Sequence, residues 1–570
     1  MSTATAAAGL GRFLPRKGST AHVLAGRAFP FLSAMVLAAP VTAQSFPQVE
    51  RVVAGQTTIL DRFTPPPQVG SVDITVQDQR ARVEAADAEA IRFALETVAI
   101  AGNTTLPAAQ LAPIWQDRLG TEISLADLYR IAEEVDAAYL RAGYFSHTVV
   151  PVQDYADGNV RLRVYEGYVQ RVEIDSAIPG IDQRLKPYID RILAMHPIRV
   201  AEAERALLLM SDLGGLEIQG TLIRPETPSG GGVLKLEVGF SRSSGQIVFD
   251  NFGSDEFGPL ELSTVLAVHD LTGRFDTLTM VGATVPDDPE ELALLQLAHD
   301  VPVGHDGHVL GYSLTYLKRR PGGSVEDLEI DAVTRIASAY VSYPFLRRLQ
   351  HSLTGRAELT FRGDTVNQLD EPEARSNTGW ATLGLRYDRE LEHGALVLGG
   401  EIGQGFDLGD GTFGDPSDYQ FGRANLEVSQ SLGEKTGLVL RAAGQYAPMD
   451  LPAAVDFAVG GEPYGWVFDS GALSGESGAG TELELSRDVA TGNALVPGLS
   501  FVAFADYGRV WHDDPGDGPK SESLGSAGLG LRGLFGERVS FELLAAAPWH
   551  VADSLDDPGG KLLFRFVIPL

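Results

Sequence analysis

From about Arg242 to Leu570, apolar and polar residues alternate in short segments, none of them long enough for a membrane helix. Leu310, Tyr312, Leu314 and Tyr316 interleave with Gly311, Ser313 and Thr315. A period of two sends successive side chains to opposite faces of a strand, so one face is apolar and the other small and polar. The same pattern sets Ala381, Leu383, Leu385 and Tyr387 against Thr382, Gly384 and Arg386, and Val539, Phe541 and Leu543 against Ser540 and Glu542. It also closes the chain: Leu562, Phe564, Phe566, Ile568 and Leu570 alternate with Leu563, Arg565 and Val567. A soluble β-sandwich would alternate in this way too. A transmembrane barrel adds the demand that every backbone group be paired around a closed sheet.

The N-terminus separates the two. Arg12, Arg16, Lys17 and Arg27 precede an apolar run from Phe31 to Ala39, followed by Val41-Thr42-Ala43. This predicts a secretory signal over 1–43, cleaved after Ala43. The run is roughly half the ~20 residues a spanning helix needs, which argues against a membrane anchor. There is no cysteine, so disulfides, zinc-thiolate sites, thiol catalysis and a lipoprotein attachment are excluded. An exported chain with alternating strands and no lipid anchor points to a barrel folded in a bilayer, with lipid and lipopolysaccharide as its surroundings. At 570 residues several domains are expected. A formal net charge of -31 argues against nucleic acid and against a basic patch for anionic lipid. Many of the 64 glycines fall at turns between alternating segments, such as Gly409-Asp410-Gly411 and Pro558-Gly559-Gly560.

Between about Ile91 and Phe240 the period changes. Ser124 to Asp127 is spaced as a capping box, and Leu125, Leu128, Ile131, Ala132, Val135, Ala138 and Tyr139 then recur at helical intervals until Gly143. A strand at Val98–Ile100 and a short helix from Pro107 precede this helix, and strands at 144–152 and 159–165 follow it. The order strand-helix-helix-strand-strand returns at 169–174, 181–195, 200–213, 216–224 and 233–238, an internal repeat of about 75 residues. Each unit is predicted to be a small α+β domain with a three-stranded sheet and an available strand edge, which suits capture of extended peptide. In 44–90, Val49–Phe63 is predicted as a short helix and Pro65-Pro66-Pro67 as a stiff spacer.

Several stretches resemble the two-partner secretion transporters, outer-membrane proteins with paired polypeptide-transport-associated (POTRA) domains. They are Val164-Tyr165-Glu166-Gly167-Tyr168-Val169, Glu204 to Leu213, Phe249-Asp250-Asn251-Phe252-Gly253-Ser254, and a loop motif comprising Gly460, Gly461, Gly465, Trp466, Val467, Phe468 and Asp469. The wall motif Phe504-Ala505-Asp506-Tyr507-Gly508 completes the set, with Phe504, Asp506 and Gly508 as its marked positions. The resemblance implies POTRA domains at 91–168 and 169–241 and a 16-stranded antiparallel barrel at 242–570 with an inward loop near 459–478. It places the barrel in the outer membrane as a monomer, with the POTRA domains in the periplasm, and 44–90 matches the family's plug helix and linker in position alone. It further implies export of a large adhesin- or haemolysin-like partner, caught by β-augmentation, without nucleotide hydrolysis. One departure stands out. Where the family's loop carries an arginine that pairs with the wall aspartate, this chain has Trp466. The expectations are that Arg509 or another lumenal arginine, such as Arg532, supplies the missing cation to Asp506, or that stacking of Trp466 holds the loop instead.

No phosphate-binding Gly-Lys loop, His-Glu-x-x-His or Gly-x-Ser-x-Gly motif occurs, and neither a catalytic site nor a cofactor is expected. His512 beside Asp513 and Asp514, and the Asp287–Glu291 acidic run, read as solvated turns rather than metal sites. Two other functions stay open: an assembly factor that inserts outer-membrane proteins, which usually has more POTRA domains, and a porin or gated uptake channel, which would not need these two.

Overall fold

The computed structural model describes residues 62–63, 72–77, 85–223, 229–254, 258–322, 329–369, 371–408, 418–452, 454–513, 518–536 and 538–570. The expected signal, the 65–67 spacer, the Gly409–Gly411 turn, and all of the 49–63 helix except Arg62 and Phe63 lie outside them. No described helix is long and apolar enough to cross a membrane, which says nothing of crossing by strands.

The first small domain is organised by the helix Leu125–Arg141. The Ser124 hydroxyl accepts from the Asp127 amide at 3.1 Å, and the Asp127 carboxylate accepts from the Ser124 amide at 2.8 Å. This reciprocal cap satisfies two orphan donors at the helix start. The buried stripe Leu125, Leu128, Ile131, Val135 and Tyr139 packs on Val160, Leu162 and Val164 of the central strand Asn159–Glu166. That strand lies between Thr97–Ala101 and Ser146–Val149. The stretch from Pro107 forms two short helices, Ala108–Leu111 and Pro113–Gln116, because Pro113 interrupts it. The helix Ala85–Ala90 joins the same core through Ala88.

In the second domain, helices Ile181–Leu193 and Val200–Ser211 cover a sheet built from Tyr168–Asp175, Gly231–Phe240 and Leu216–Ile223. Here the structure departs from the expected three strands. Residues Val72–Gln77, in the 44–90 stretch for which no strand was expected, add in parallel along Leu216–Ile223, in register from Val72 with Ile218 to Gln77 with Ile223. The chain itself occupies one edge of this sheet, and Tyr168–Asp175 remains the other.

This domain is bolted to the barrel rim. Arg347 makes a two-point ion pair with Asp212 at 2.7 and 2.8 Å, and Arg184 another with Asp270 at 2.6 and 2.8 Å. Phe275, from the turn after the second barrel strand, is buried in the domain's own core.

Sixteen antiparallel strands then close into a barrel. The first, Ser243–Asp250, pairs with the closing strand, Lys561–Pro569, over Gln246–Asp250 and Arg565–Pro569. Outward positions such as Leu310, Tyr312, Leu314 and Tyr316 are exposed, while alternating positions such as Thr315 and Leu317 are buried toward the lumen. Phe63 packs on the lumenal side among Val281, Ala283, Leu292, Leu294 and Leu317.

Candidate functional site: the inward loop and its wall

Between strands Thr436–Tyr446 and Ser477–Val489, the connection turns back into the barrel. Two short strands, Phe457–Val459 and Leu473–Gly475, pair as its stem. The tip folds on itself: the Gly460 amide donates to the Tyr464 carbonyl at 2.9 Å, and the Gly461 amide to the Gly465 carbonyl at 2.9 Å. Gly460, Gly461 and Gly465 have φ of 114°, 76° and 129°, a region that side chains disfavour. A Cβ on Gly465 would also lie 2.6 Å from a Leu524 methyl.

The wall is shaped to receive this loop. On the lumenal face of Ser477–Val489, a Cβ on Gly478 would strike the Phe457 ring at 2.1 Å, and one on Gly480 the Tyr464 ring at 2.5 Å. On the neighbouring strand Gly498–Trp511, a Cβ on Gly508 would meet Val459 at 2.6 Å. The missing side chains leave a track in which Phe457, Val459, Tyr464, Trp466, Val467 and Phe468 are buried with Phe504 and Leu524. Such burial is favourable at roughly 25 cal/mol per Å² of apolar surface.

Trp466 occupies the middle of the contact. Its ring lies 4.9 Å from that of Phe504 and meets Phe252 edge-on at 5.5 Å. Its indole N–H donates to Glu482 at 3.0 Å, and Glu482 also pairs with Arg441. Asp506, 2% exposed, accepts from the Ser526 amide at 3.0 Å and from the Ser526 hydroxyl, with the Trp466 main chain close by. No cation among the described residues holds this carboxylate. Arg509 donates to Ser521 at 2.6 Å, and Arg532 pairs with Glu484 at 2.8 Å and with Glu542 at 2.5 Å. Neither expected arginine takes the place of the missing one; around Trp466 the geometry is a tilted ring contact with Phe504, an edge-on contact with Phe252 and a hydrogen bond to a wall carboxylate. Asp469, at the loop's edge, faces Lys561 at 3.6 Å.

The structure brings all ten sequence-marked positions to one side of the lumen, and it adds others. Gly478, Gly480, Glu482, Arg441 and Ser526 face the loop from neighbouring strands, and Glu462 on the loop reaches Arg565 on the closing strand. A run of glycines at alternate positions, Gly478 and Gly480, was the signal available for the track. The others are polar residues on inward-facing positions, which look alike until the register is known.

His512 lies just past its strand, between Glu476 at the loop's root and Glu522, at 3.6 and 3.8 Å. Hydrogen bonding to Glu476 raises the imidazole pKa above its ordinary value. Among the described residues no group of three or more His, Asp or Glu side chains is disposed to hold a metal ion.

The sequence profile of the haemolysin secretion/activation proteins ShlB/FhaC/HecB matches residues 233–533, and that of the ShlB-type POTRA domain matches residues 93–167. The heme/hemopexin transporter protein HuxB of Haemophilus influenzae is 21% identical over 286 residues, covering 49% of this chain and 50% of that protein. The chain thus spans about half the length of the curated relatives it matches. CdiB from Escherichia coli superposes with a TM-score of 0.69 at 18% identity, covering 93% of this chain and 100% of that one. CdiB from Acinetobacter baumannii gives 0.59 at 19% identity, with 92% and 98% covered. BamA from Haemophilus ducreyi lacking POTRA domains 1–3 gives 0.50 at 13% identity, with 84% and 100% covered. At these identities the structural likeness is one of fold.

Proposed function

The chain belongs to the ShlB/FhaC/HecB family of haemolysin secretion/activation proteins, and on that premise we propose that it exports a large adhesin- or haemolysin-like partner polypeptide through its barrel. It is an outer-membrane protein with its POTRA domains in the periplasm. The observation that carries the reading is a loop that turns into the barrel and is held on the wall by side-chain packing between its two ends, together with two small domains whose sheets each keep an unpaired edge strand. In this proposal the partner arrives unfolded and adds as a strand to a periplasmic sheet by main-chain hydrogen bonding, which is indifferent to most side chains. It displaces Val72–Gln77 if it uses that edge. The loop then yields the lumen, and folding outside makes the passage directional. No step requires nucleotide hydrolysis or a catalytic group.

The test is a comparison of secreted proteins from cells with and without the chain. Loss of one large extracellular protein, with other outer-membrane proteins unchanged, is the expected result. General depletion of outer-membrane barrels would instead identify an assembly factor, and an unchanged secretome would count against export.

A further inference from the structure

A second contact between loop and wall has the opposite charge arrangement to a loop arginine on a wall aspartate. Glu462, beside the left-handed Gly461 at the loop tip, accepts from Arg565 through both oxygens, at 3.2 and 2.5 Å. This fork-to-fork geometry is the strongest a carboxylate and guanidinium adopt. Arg565 lies on the closing strand, directly across the seam in register from Asp250 of the first strand, and its Nε is 3.5 Å from that carboxylate. The same guanidinium sits 4.2 Å over the ring of Phe252, whose edge meets Trp466. From the N-terminal side, Arg62 donates to the Phe252 carbonyl at 3.0 Å and pairs with Glu261. The side chains are 9% exposed at Glu462, 19% at Arg565, 3% at Asp250, 8% at Arg62 and 3% at Glu261.

We propose that Arg565 is the positioning residue that seats the loop in the lumen through Glu462, and that it couples the loop's position to closure of the barrel seam. One guanidinium touches the loop and the partner strand at once, so withdrawing Glu462 leaves a buried cation with half its partners. Removing one member of such a set costs more than the set contributes, because the remaining charge is stranded away from water. Two guanidiniums here face three carboxylates. Arg62 supplies the second cation, which brings this residue into the same cluster. The inference rests on the loop being the transporter's moving part.

The test uses the full chain in outer membranes. It has no cysteine, so Val467→Cys, at a position 0% exposed in the seated loop, gives a single reporter for a thiol-reactive maleimide. Glu462→Gln and Arg565→Gln should each raise the labelling rate tenfold or more, and the two together no further than either alone. Arg565→Lys, which keeps the charge and loses the fork, should fall between. Unchanged labelling in both single variants, with heat-modifiable gel mobility showing a folded barrel, would overturn the proposal, as would fully additive effects. If Arg565→Gln does not fold, Glu462→Gln decides alone, since it leaves the closing strand intact. Export scored in the same strains reads separately: a labelling response without any exported protein counts against transport and not against the lock.

Discussion

At Gly480 the wall lacks a side chain where the loop lays the ring of Tyr464, and a Cβ there would stand 2.5 Å from it. Gly480→Ala is therefore expected to lift the loop from its track and raise the ion conductance of the purified protein in planar bilayers. Unchanged conductance would mean that the ring relaxes without moving the loop. Ser526 supplies two donors to the buried Asp506 carboxylate. Ser526→Ala removes the hydroxyl and leaves the carboxylate partly unsatisfied, at a cost of about 1–3 kcal/mol. A lowered thermal unfolding temperature checks this. Trp466 and Asp506 were legible as members of a motif. Their partners were not, because a contact such as Glu462 to Arg565 spans 103 residues and depends on which strand closes the barrel.

Among the elements, helix Leu125–Arg141 was readable to within a residue, since cap, stripe and terminating glycine all act locally. Strand Val72–Gln77 is not among the expected elements although its sequence alternates. It pairs with a strand more than a hundred residues away, and the prolines before it drew the reading toward a spacer. Replacing Asp73 and Ile74 together by proline removes a ladder donor whichever of the two faces the sheet. The expected outcome is tighter binding of extended partner peptide to the second periplasmic domain, read by fluorescence anisotropy. In the first domain, Glu166 ends the central strand. Desolvation opposes its ionisation, but hydrogen bonds from Thr104, the Thr105 amide and the Tyr139 hydroxyl outweigh it and hold the carboxyl below the ordinary glutamate range. Its folded pKa is depressed, so its contribution is present above the unfolded value near 4.5 and fades as pH falls through the lower folded value. Glu166→Gln should therefore lower hydrogen-exchange protection of this domain at neutral pH, with the difference from the parent shrinking at acid pH.

For the molecule as a whole, alternation made the barrel visible from a single sequence, whereas the rim contacts that join barrel and second periplasmic domain were invisible, because Arg347 at a strand end and Arg184 on a helix find carboxylates far away in the chain. Arg347 is 7% exposed and Asp212 29%. After discounting for that exposure, Arg347→Ala should cost about 1–3 kcal/mol and increase proteolytic nicking near Val200–Ser211. The parallel strand at 72–77 carries a consequence for selectivity. A peptide offered to that edge does not meet an empty site; it meets a rival on a leash, present at an effective concentration on the order of millimolar. A passing polypeptide of modest affinity is outcompeted by the chain's own residues. On the proposed capture by strand addition, the client that prevails is one presenting many strand-forming stretches in succession, each a fresh attempt at the same edge.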